Sequence, residues 1–313
     1  MYQTAVIAVG GNSLIRAGEK GTVPEQIRNA RRVARSVAAL LAQGLRVVVT
    51  HGNGPQVGAA LLRSERAAGQ VYEHGLDVCV AATQGEIGYV LQQALEQEIL
   101  DAGRSTLVMT VLTQVVVAED DPAFLDPRKP IGPFYTRSAA EEKSRTLGWR
   151  MVEDASRGYR RVVPSPLPVR IVEEEVIRKV LGLGILVIAM GGGGIPVVSD
   201  NGRLRGVDAV IDKDRASELL AVRLRVDLLV FATDADRVYL NYRKPNQQPL
   251  GRVTAPEMTR WLEDGQFPPG SMGPKVESAL RFLAAGGREA VIASHEELIP
   301  AVQGSAGTHI VPA

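Results

Sequence analysis

Short aliphatic runs and amphipathic segments alternate along the first hundred residues of the chain. A continuous run of Val, Ile and Ala covers residues 5–9, and a mainly aliphatic run, centred on Val47–Val49, covers residues 45–50. Apolar residues recur at helical spacing over 24–43, 56–67 and 84–100. Unbroken aliphatic strands separated by helix-length segments are typical of parallel sheets with helices on both faces. The pattern therefore predicts right-handed βαβ crossovers and a mainly parallel sheet.

The alternation breaks between residues 118 and 168. A strand predicted over 106–117 leads into 118–136, which contains four prolines and no clear period. Long segments without regular structure are uncommon in compact domains and are often lids or binding loops. We predict a single domain over 1–313 with 118–168 as a protruding lid subdomain, which has little apolar content to anchor it. An insertion without a chemical role is the alternative.

The alternation resumes after residue 171 and predicts the rest of the fold. The expected elements are helices over 173–182, 214–225, 256–264 and 274–285, strands over 185–190, 228–231 and 290–293, and a hairpin over 196–206. A helical patch over 139–147 lies within the lid segment. The predicted fold class is α/β, a three-layer αβα sandwich around a mainly parallel central sheet, with a small protruding subdomain.

Composition and charge exclude several classes of protein. The 36 Lys and Arg against 35 Asp and Glu give a net charge of +1, which argues against a nucleic-acid partner. A single cysteine, Cys79, indicates a reducing compartment. The longest apolar run, 180–190, is shorter than the ~20 residues that cross a membrane. With no secretory leader visible, we expect a cytoplasmic protein without a membrane partner.

Glycine-rich turns follow several predicted strands. They are Gly10-Gly-Asn12, Gly52-Asn-Gly54 and Gly191 to Gly194, and the segment Ile211-Asp-Lys-Asp214 follows the hairpin. Ligands of open α/β sheets bind beyond the carboxyl ends of the strands. Glycine there lets backbone amides approach an anion, and a helix N-terminus adds a favourable dipole. Several such turns together indicate a phosphate-bearing ligand.

The common nucleotide and metal motifs do not occur in the sequence. There is no G-x-x-x-x-G-K-[ST], no H-E-x-x-H, no G-x-S-x-G and no Cys/His cluster, so no residue is assigned as a metal ligand. Two lysines beside helix starts remain. Lys213 lies between Asp212 and Asp214, and Lys275 follows Pro274. A lone lysine at such a position is usually solvated, but two in this glycine context favour phosphate binding.

Several segments together resemble a known family. They are VGGNSL (9–14), VVTHGNGPQVG (48–58), KPIGPFY (129–135), GVDAVIDKD (206–214) and GSMGPK (270–275). On these, the chain resembles the carbamate kinases of the amino acid kinase superfamily over essentially its full length. The resemblance implies reversible phosphoryl transfer between carbamoyl phosphate and ADP, giving ATP and carbamate. It also implies Mg²⁺ held mainly by the nucleotide phosphates, and a homodimer.

The resemblance also implies roles for individual residues. The transfer residues would be Lys213, Lys275, Lys129 and Asp214, with Asp214 orienting the lysines and Lys129 reaching in from the lid. The carbamoyl phosphate side would be Gly10, Gly11, Asn12, Gly52 and Asn53. The nucleotide side would be Gly191, Gly192, Gly193, Thr233, Asp234, Asp236, Tyr239 and Met272.

Two other functions are alternatives to this interpretation. Another amino acid kinase, forming an acyl phosphate or phosphorylating UMP, would share the glycine turns and both lysines, but the KPIGPFY segment favours carbamate kinase. A non-catalytic sensor of carbamoyl phosphate would be expected to lack a transfer lysine, and both are present. The breakdown of arginine, agmatine or purine-derived carbamoyl phosphate is the metabolic setting that the resemblance suggests.

Overall fold

The computed structural model describes residues 2–16, 18–153, 158–268 and 270–313. Within them the helices are α1 (Val23–Ala42), α2 (Gly54–Ala67), α3 (Leu76–Asp101), α4 (Arg137–Leu147), α5 (Glu174–Gly182), α6 (Lys213–Leu224), α7 (Ala255–Glu263), α8 (Met272–Ala284) and α9 (Leu298–Val302). The strands are β1 (Thr4–Val9), β2 (Arg46–His51), β3 (Val108–Thr110), β4 (Gln114–Val117), β5 (Lys129–Tyr135), β6 (Met151–Glu153), β7 (Tyr159–Val163), β8 (Pro168–Ile171), β9 (Leu186–Ile188), β10 (Ile195–Asp200), β11 (Arg203–Gly206), β12 (Leu228–Thr233), β13 (Tyr239–Leu240), β14 (Gln248–Pro249), β15 (Arg252–Thr254), β16 (Glu289–Ser294) and β17 (Thr308–Val311). Short 3-10 turns cover Gly11–Ser13, Pro122–Phe124 and Gly191–Gly193.

The main sheet has eight strands in the order β15-β17-β16-β12-β1-β2-β9-β3. Its strand pairs are parallel except for β16 and β17, which are antiparallel. Residues 5–9 of β1 are fully buried, as expected for a strand with helices on both faces. The mainly parallel sheet predicted from the aliphatic runs is therefore confirmed.

Alternate residues of the central strands enter two separate cores. Ala5, Ile7 and Val9 of β1 pack with α1, α3 and α9 on one face of the sheet. Val6 and Ala8 pack with α5, α6, α7 and α8 on the other. Because side chains of a strand alternate in direction, one strand supplies both cores. This is the predicted three-layer αβα arrangement.

The strand predicted over 106–117 is two strands in two sheets. β3 is the edge of the main sheet, whereas β4 belongs to a four-stranded sheet of order β11-β10-β4-β8. The chain turns between them at Thr113, whose amide donates to Gln84 Oε1 (2.8 Å) and whose carbonyl accepts from Gln84 Nε2 (3.1 Å). The single-strand prediction was wrong because this buried clasp joins residues far apart in sequence.

The start of helix α3 differs from its prediction, whereas the hairpin over residues 196–206 agrees with it. Helix α3 begins eight residues before the predicted start at residue 84, because the amide of Leu76 donates to Asp208 Oδ1 (2.8 Å) and Leu76 itself is buried. The predicted hairpin is confirmed as the antiparallel pair β10–β11. Its turn places Asn201 and Gly202 at φ 48° and 82°, the left-handed region that Asn and Gly tolerate.

The lid segment contains regular structure that its prolines concealed. Residues 118–136 were predicted to lack an element, but β5 forms a three-stranded sheet of order β5-β7-β6. Pro130 and Pro133 are tolerated because β5 is an edge strand. Ile131 and Val163 are buried with Val57 of α2 in a third apolar cluster. The lid is thus anchored through apolar contacts to α2, in a cluster separate from the two cores of the main sheet.

The C-terminal part of the chain was also predicted incompletely. The strand predicted over 290–293 is β16, but α9 and β17 follow it and complete the sheet edge. None of the helices described is both long enough and apolar enough to cross a lipid bilayer.

Candidate functional site

The glycine turns meet at the carboxyl edge of the main sheet. They line a cavity of about 730 Å³, which we call the lysine cavity, together with the start of α6 and α8. The predicted residues in its wall are Gly11, Gly52, Asn53, Gly192, Lys129, Lys213, Asp214 and Lys275. Sequence motifs scattered over more than 260 positions therefore form one concave site, as expected for ligand sites of parallel sheets.

Glycine is required where two of these turns touch. A Cβ on Gly52 would lie 2.9 Å from the Gly11 amide nitrogen and 3.2 Å from Lys213 Cδ. A Cβ on Gly192, whose φ is 66°, would overlap the Asn53 side-chain amide. Any larger residue would separate the turns or displace the lysine.

Some backbone amides of the turns are bonded to the main sheet, and others lie at the start of a helix. Gly10 donates to the Ala232 carbonyl (3.1 Å) and Gly52 donates to the Val9 carbonyl (3.0 Å), so these two amides hold the turns to the sheet. Helix α2 begins at Gly54, and the first amides of a helix lack intrahelical acceptors. The backbone of Asn12 lies in the 3-10 turn Gly11–Ser13. Its side chain lies outside the described part of the chain.

One buried carboxylate connects the two lysines predicted from the sequence. Asp214 accepts from Lys213 Nζ (2.5 Å) through Oδ1 and from Lys275 Nζ (3.0 Å) through Oδ2. Burial raises the pKa of Asp214, but Lys213 and Lys275 outweigh it, and the pKa lies below its ordinary value. Burial and the nearby Lys213 lower the pKa of Lys275. Asp214 therefore fixes both ammonium groups at one point.

A second carboxylate holds the lid lysine and the start of α6. Asp212 Oδ2 accepts from Lys129 Nζ (2.6 Å), while Asp212 Oδ1 caps the helix by accepting from the Asp214 amide (2.9 Å). Burial opposes ionisation of Asp212, but Lys129 and Lys213 hold its pKa well below its usual range. We call the three lysines with Asp212 and Asp214 the lysine cage; it carries one excess positive charge.

A smaller cavity of about 270 Å³ adjoins the lysine cavity at Ser271 and Lys275. We call it the tyrosine cavity, because Tyr239 and Tyr242 line it, with ring centroids 6.2 Å apart. The predicted nucleotide residues in its wall are Thr233, Asp234, Tyr239 and Met272. Asp236 is placed beside it, where both carboxylate oxygens accept from the Tyr239 hydroxyl (3.0 and 2.9 Å).

The structure does not bring Gly191, Gly192 and Gly193 to the tyrosine cavity. Gly192 lines the lysine cavity instead. Gly191 packs against His51 and Gln84, and Gly193 packs against the Ile211 carbonyl. The glycine turn thus shapes the wall of the lysine cavity, although the sequence grouped it with Tyr239.

Two buried side chains around the site, Gln84 and His51, were not predicted to act there, whereas Asn53 was. Asn53 is fixed by its amide, which donates to Thr83 Oγ1 (2.9 Å). Gln84 donates to the Gly191 carbonyl (2.9 Å) and so holds the third glycine turn. His51 is fully buried, and burial lowers its pKa to about 4, so its imidazole is neutral. Their sequence signal was a polar residue within an apolar segment, which by itself does not distinguish a core position from a site.

Comparisons with known proteins agree with this architecture. The sequence model of the amino acid kinase family matches residues 3–294. The chain is similar to a carbamate kinase of Thermococcus kodakarensis, at 48% identity over 310 residues, covering 98% of each protein. It is also similar to a carbamate kinase of Staphylococcus haemolyticus, at 48% identity over 308 residues, covering 97% of this chain and 98% of that protein.

A solved structure has the same fold over its whole length. The carbamate kinase from Giardia lamblia bound to AMP-PNP superimposes with a TM-score of 0.93 at 41% identity, covering 100% of this chain and 99% of that one. The sequence matches and the structural match therefore identify the same family. The chain belongs to the amino acid kinase family and, within it, to the carbamate kinases.

Proposed function

We propose that this kinase transfers a phosphoryl group reversibly between carbamoyl phosphate and ADP. The bond from the carbamate oxygen to phosphorus breaks, and a bond from the terminal oxygen of ADP to phosphorus forms. Carbamate leaves as an anion and decomposes to ammonia and CO₂. The observation that carries the proposal is the position of Asp214, which joins Lys213 and Lys275 where the lysine cavity meets the tyrosine cavity.

The lysine cage supplies what this reaction needs. Phosphoryl transfer proceeds mainly by positioning and by stabilisation of charge spread over the moving group. Lys275 lines both cavities and is assigned to the phosphates on either side of the transfer, while Lys213 faces the transferred group. The attacking oxygen of ADP is already anionic and carbamate leaves as a stable anion, so no general base is required, consistent with a buried, neutral His51.

The turns of the lysine cavity would bind the carbamoyl phosphate. Gly11 and Asn53 line it, and the start of α2 directs its first amides and its dipole toward an anion. Gly10 and Gly52 act by holding the turns close, because their own amides bond to the sheet. Asn12 is kept as a proposed ligand from the resemblance.

The tyrosine cavity would bind the nucleotide. Its apolar and aromatic walls at Tyr239 and Met272 suit a base, and it opens toward the lysine cage at Lys275. Thr233 and Asp234 line the same cavity, and Asp236 acts through the Tyr239 hydroxyl. The Giardia lamblia relative bound to AMP-PNP supports a nucleotide site on this fold. Gly191, Gly192 and Gly193 are reassigned to shaping the carbamoyl phosphate side.

Magnesium would enter with the nucleotide. Among the described residues, no group of three or more His, Cys, Asp or Glu is placed to hold a metal, and both cage carboxylates pair with lysines. These residues therefore do not fit a metal cage built by the protein. Mg²⁺ retains water readily and is commonly held by phosphates, where it neutralises their charge.

Residues 118–168 would act as a lid within a single domain covering 1–313. Lys129 projects from the first residue of β5 into the lysine cavity and is 39% exposed, against 13% for each of the other two lysines. A more exposed lysine on a separate sheet is suited to complete the cage when substrate is bound. Closure would exclude water from a hydrolysable substrate.

The decisive experiment is ATP formation from ADP and carbamoyl phosphate, with acetyl phosphate as an alternative donor. UMP phosphorylation by ATP is tested in parallel. ATP formation from ADP with carbamoyl phosphate, but not with acetyl phosphate, and no phosphorylation of UMP support the proposal. A preference for acetyl phosphate or UMP would assign another kinase activity. Binding of carbamoyl phosphate without turnover would indicate a sensor. ATP synthesis during breakdown of arginine, agmatine or purine-derived carbamoyl phosphate is the proposed setting.

A homodimer is the proposed assembly. β3 is an edge strand of the main sheet, and Leu107, Met109 and Leu112 are exposed beside it, as is Tyr89 on α3. An open, apolar sheet edge is suited to pairing with a second copy. Sedimentation velocity should give a dimer that Met109→Lys weakens; a monomeric wild type would contradict this assembly.

A further inference from the structure

A third cavity of about 850 Å³ adjoins the lysine cavity on the lid side. We call it the vestibule. The vestibule shares Lys129, Arg160 and Asp212 with the lysine cavity. The tyrosine cavity shares a different pair of residues, Ser271 and Lys275, with the lysine cavity. The lysine cage can therefore be approached from two directions, and the two approaches have different walls.

The vestibule is rich in positive charge. Arg128, Lys129, Arg160 and Arg215 line it, with Asp126 and Asp212 as the acidic residues. The Asp126 carboxylate accepts from Arg128 (2.5 Å) and also pairs with Arg150 (2.9 Å). The walls thus keep an excess of cations, which raises the local concentration of small anions.

Arg215 is the vestibule residue whose place in the fold is least explained by its own contacts. It lies in the first turn of α6, where the helix dipole disfavours a cation. Its Nε is buried with no hydrogen-bond partner among the described residues, and its Nη2 lies a long 3.5 Å from Glu277 Oε2. The Arg215 side chain is 30% exposed. A guanidinium kept there at a cost to helix stability, with so few internal hydrogen bonds, can donate to an incoming anion through its Nη groups.

We propose that Arg215 is a docking residue for carbamoyl phosphate, which reaches the lysine cage through the vestibule while the nucleotide enters through the tyrosine cavity. The proposal rests on the proposed function and deepens it. A planar guanidinium binds a phosphate through two parallel hydrogen bonds. Separate approaches let the second anion arrive without passing the first. Arg215 is a positioning residue: it delivers the substrate to Lys129 and Lys213 and takes no part in transfer.

The test compares Arg215→Gln and Arg215→Lys with Arg223→Gln. Arg223 lies on the same helix at its opposite end, so the control removes the same charge away from the vestibule. We expect Arg215→Gln to lower kcat/KM for carbamoyl phosphate about 5–10-fold, with kcat/KM for ADP changed less than twofold. The carbamoyl phosphate value should also fall less steeply with salt. Arg215→Lys should restore part of the loss.

A second measurement is independent of turnover. Titration calorimetry with inorganic phosphate should give about fivefold weaker binding to Arg215→Gln than to Arg223→Gln, with both variants unfolding at similar temperatures. Equal phosphate affinities, or equal losses for carbamoyl phosphate and ADP, would overturn the docking role. A wild-type enzyme that makes no ATP from carbamoyl phosphate would refute the proposed function instead, and the phosphate titration would still decide the role of Arg215.

Discussion

The two edges of the main sheet each carry a large cavity lined by charged residues. The lysine cavity at the carboxyl edge has a volume of about 730 Å³, and a cavity at the amino edge, between the ends of α6 and α8, has about 680 Å³. The two cavities are similar in volume, and charged residues line both of them. The difference lies in the direction of the helices and in how completely the charges are paired.

At the amino edge three of the four lining arginines, Arg178, Arg223 and Arg288, are paired with Glu174 or Asp227. Helices α6 and α8 end there, and their last carbonyls carry partial negative charge. Arg178 donates to the Arg223 carbonyl (2.8 Å) and to Glu174 (2.6 Å). Asp227 accepts the amides of Gln3 (2.7 Å) and Thr4 (3.2 Å). These charges stabilise the fold, and helix C-termini repel an anionic ligand.

At the carboxyl edge the same helices begin. The starts of α2, α6 and α8 face the lysine cavity, and their dipoles favour an anion. The lysine cage keeps one excess positive charge, and each ammonium has hydrogens beyond those its aspartate accepts. A charged cavity is thus a binding site when helix N-termini and incompletely paired cations coincide.

The largest expected effect is at Lys213. Lys213→Ala removes a charge aimed at the transferring group, which should lower kcat about 10²–10³-fold with substrates saturating. Arg223→Ala at the amino edge is the matched control and should change kcat less than twofold. Steady-state ATP formation measures both. Near-normal turnover in Lys213→Ala would contradict the assignment of the lysine cage.

A loss of about 10²-fold is expected when the contact between glycine turns is broken. In Gly52→Val the Cβ would lie 2.9 Å from the Gly11 amide nitrogen and would press on Lys213, so carbamoyl phosphate should be misplaced. ADP binding should be largely retained, because the tyrosine cavity is untouched. Gly85→Val, at an exposed position with open space around it, controls for the added side chain. Calorimetry showing lost ADP binding with carbamoyl phosphate binding intact would reverse the division of the site.

A smaller effect is expected at the lid. Lys129→Ala should lower kcat/KM for carbamoyl phosphate about 10-fold, the value of one charge-assisted hydrogen bond, with ADP affinity changed little. Amide exchange over residues 118–136 should slow when both substrates are bound. Lys143→Ala is not a suitable control, since Lys143 anchors the lid to Glu65 of α2. Arg137→Ala, an exposed change on α4, is suitable. Unchanged exchange and kinetics would show a passive insertion.

Features set by local sequence could be predicted, whereas contacts between residues far apart in the chain could not. Periodicity identified the main strands and helices because each is a local pattern buried on one or both faces. The lysines and glycine turns were found because their residue types and motifs are unusual. The clasp of Gln84 with Thr113 and the cap of Asp208 on Leu76 were missed, since each joins residues far apart. Gly192 and Tyr239, which the sequence grouped together, line different cavities for a similar reason: two turns at one edge can face different ways.

The smallest effect on activity is expected from the amino edge, at Glu289. This buried carboxylate accepts from His309 Nδ1 (2.7 Å), from Arg252 Nη1 (3.1 Å) and from the Tyr2 hydroxyl. Glu289→Gln should reduce the free energy of unfolding by about 1–3 kcal/mol, because a buried network loses its charge, and should change kcat less than twofold. Chemical denaturation checks the first value.

The pH dependence of this network gives the sign of its contribution. Burial raises the pKa of Glu289, but His309, Tyr2 and Arg252 outweigh it and lower the pKa below its ordinary value. The stabilisation is therefore present above the unfolded-state pKa of about 4.3 and is lost as the pH falls through the lower folded-state value. The stability difference between wild type and Glu289→Gln should shrink as the pH falls through that range. A difference independent of pH, or a large loss of kcat in Glu289→Gln, would mean that the amino edge is coupled to the site and that the two edges are not separable.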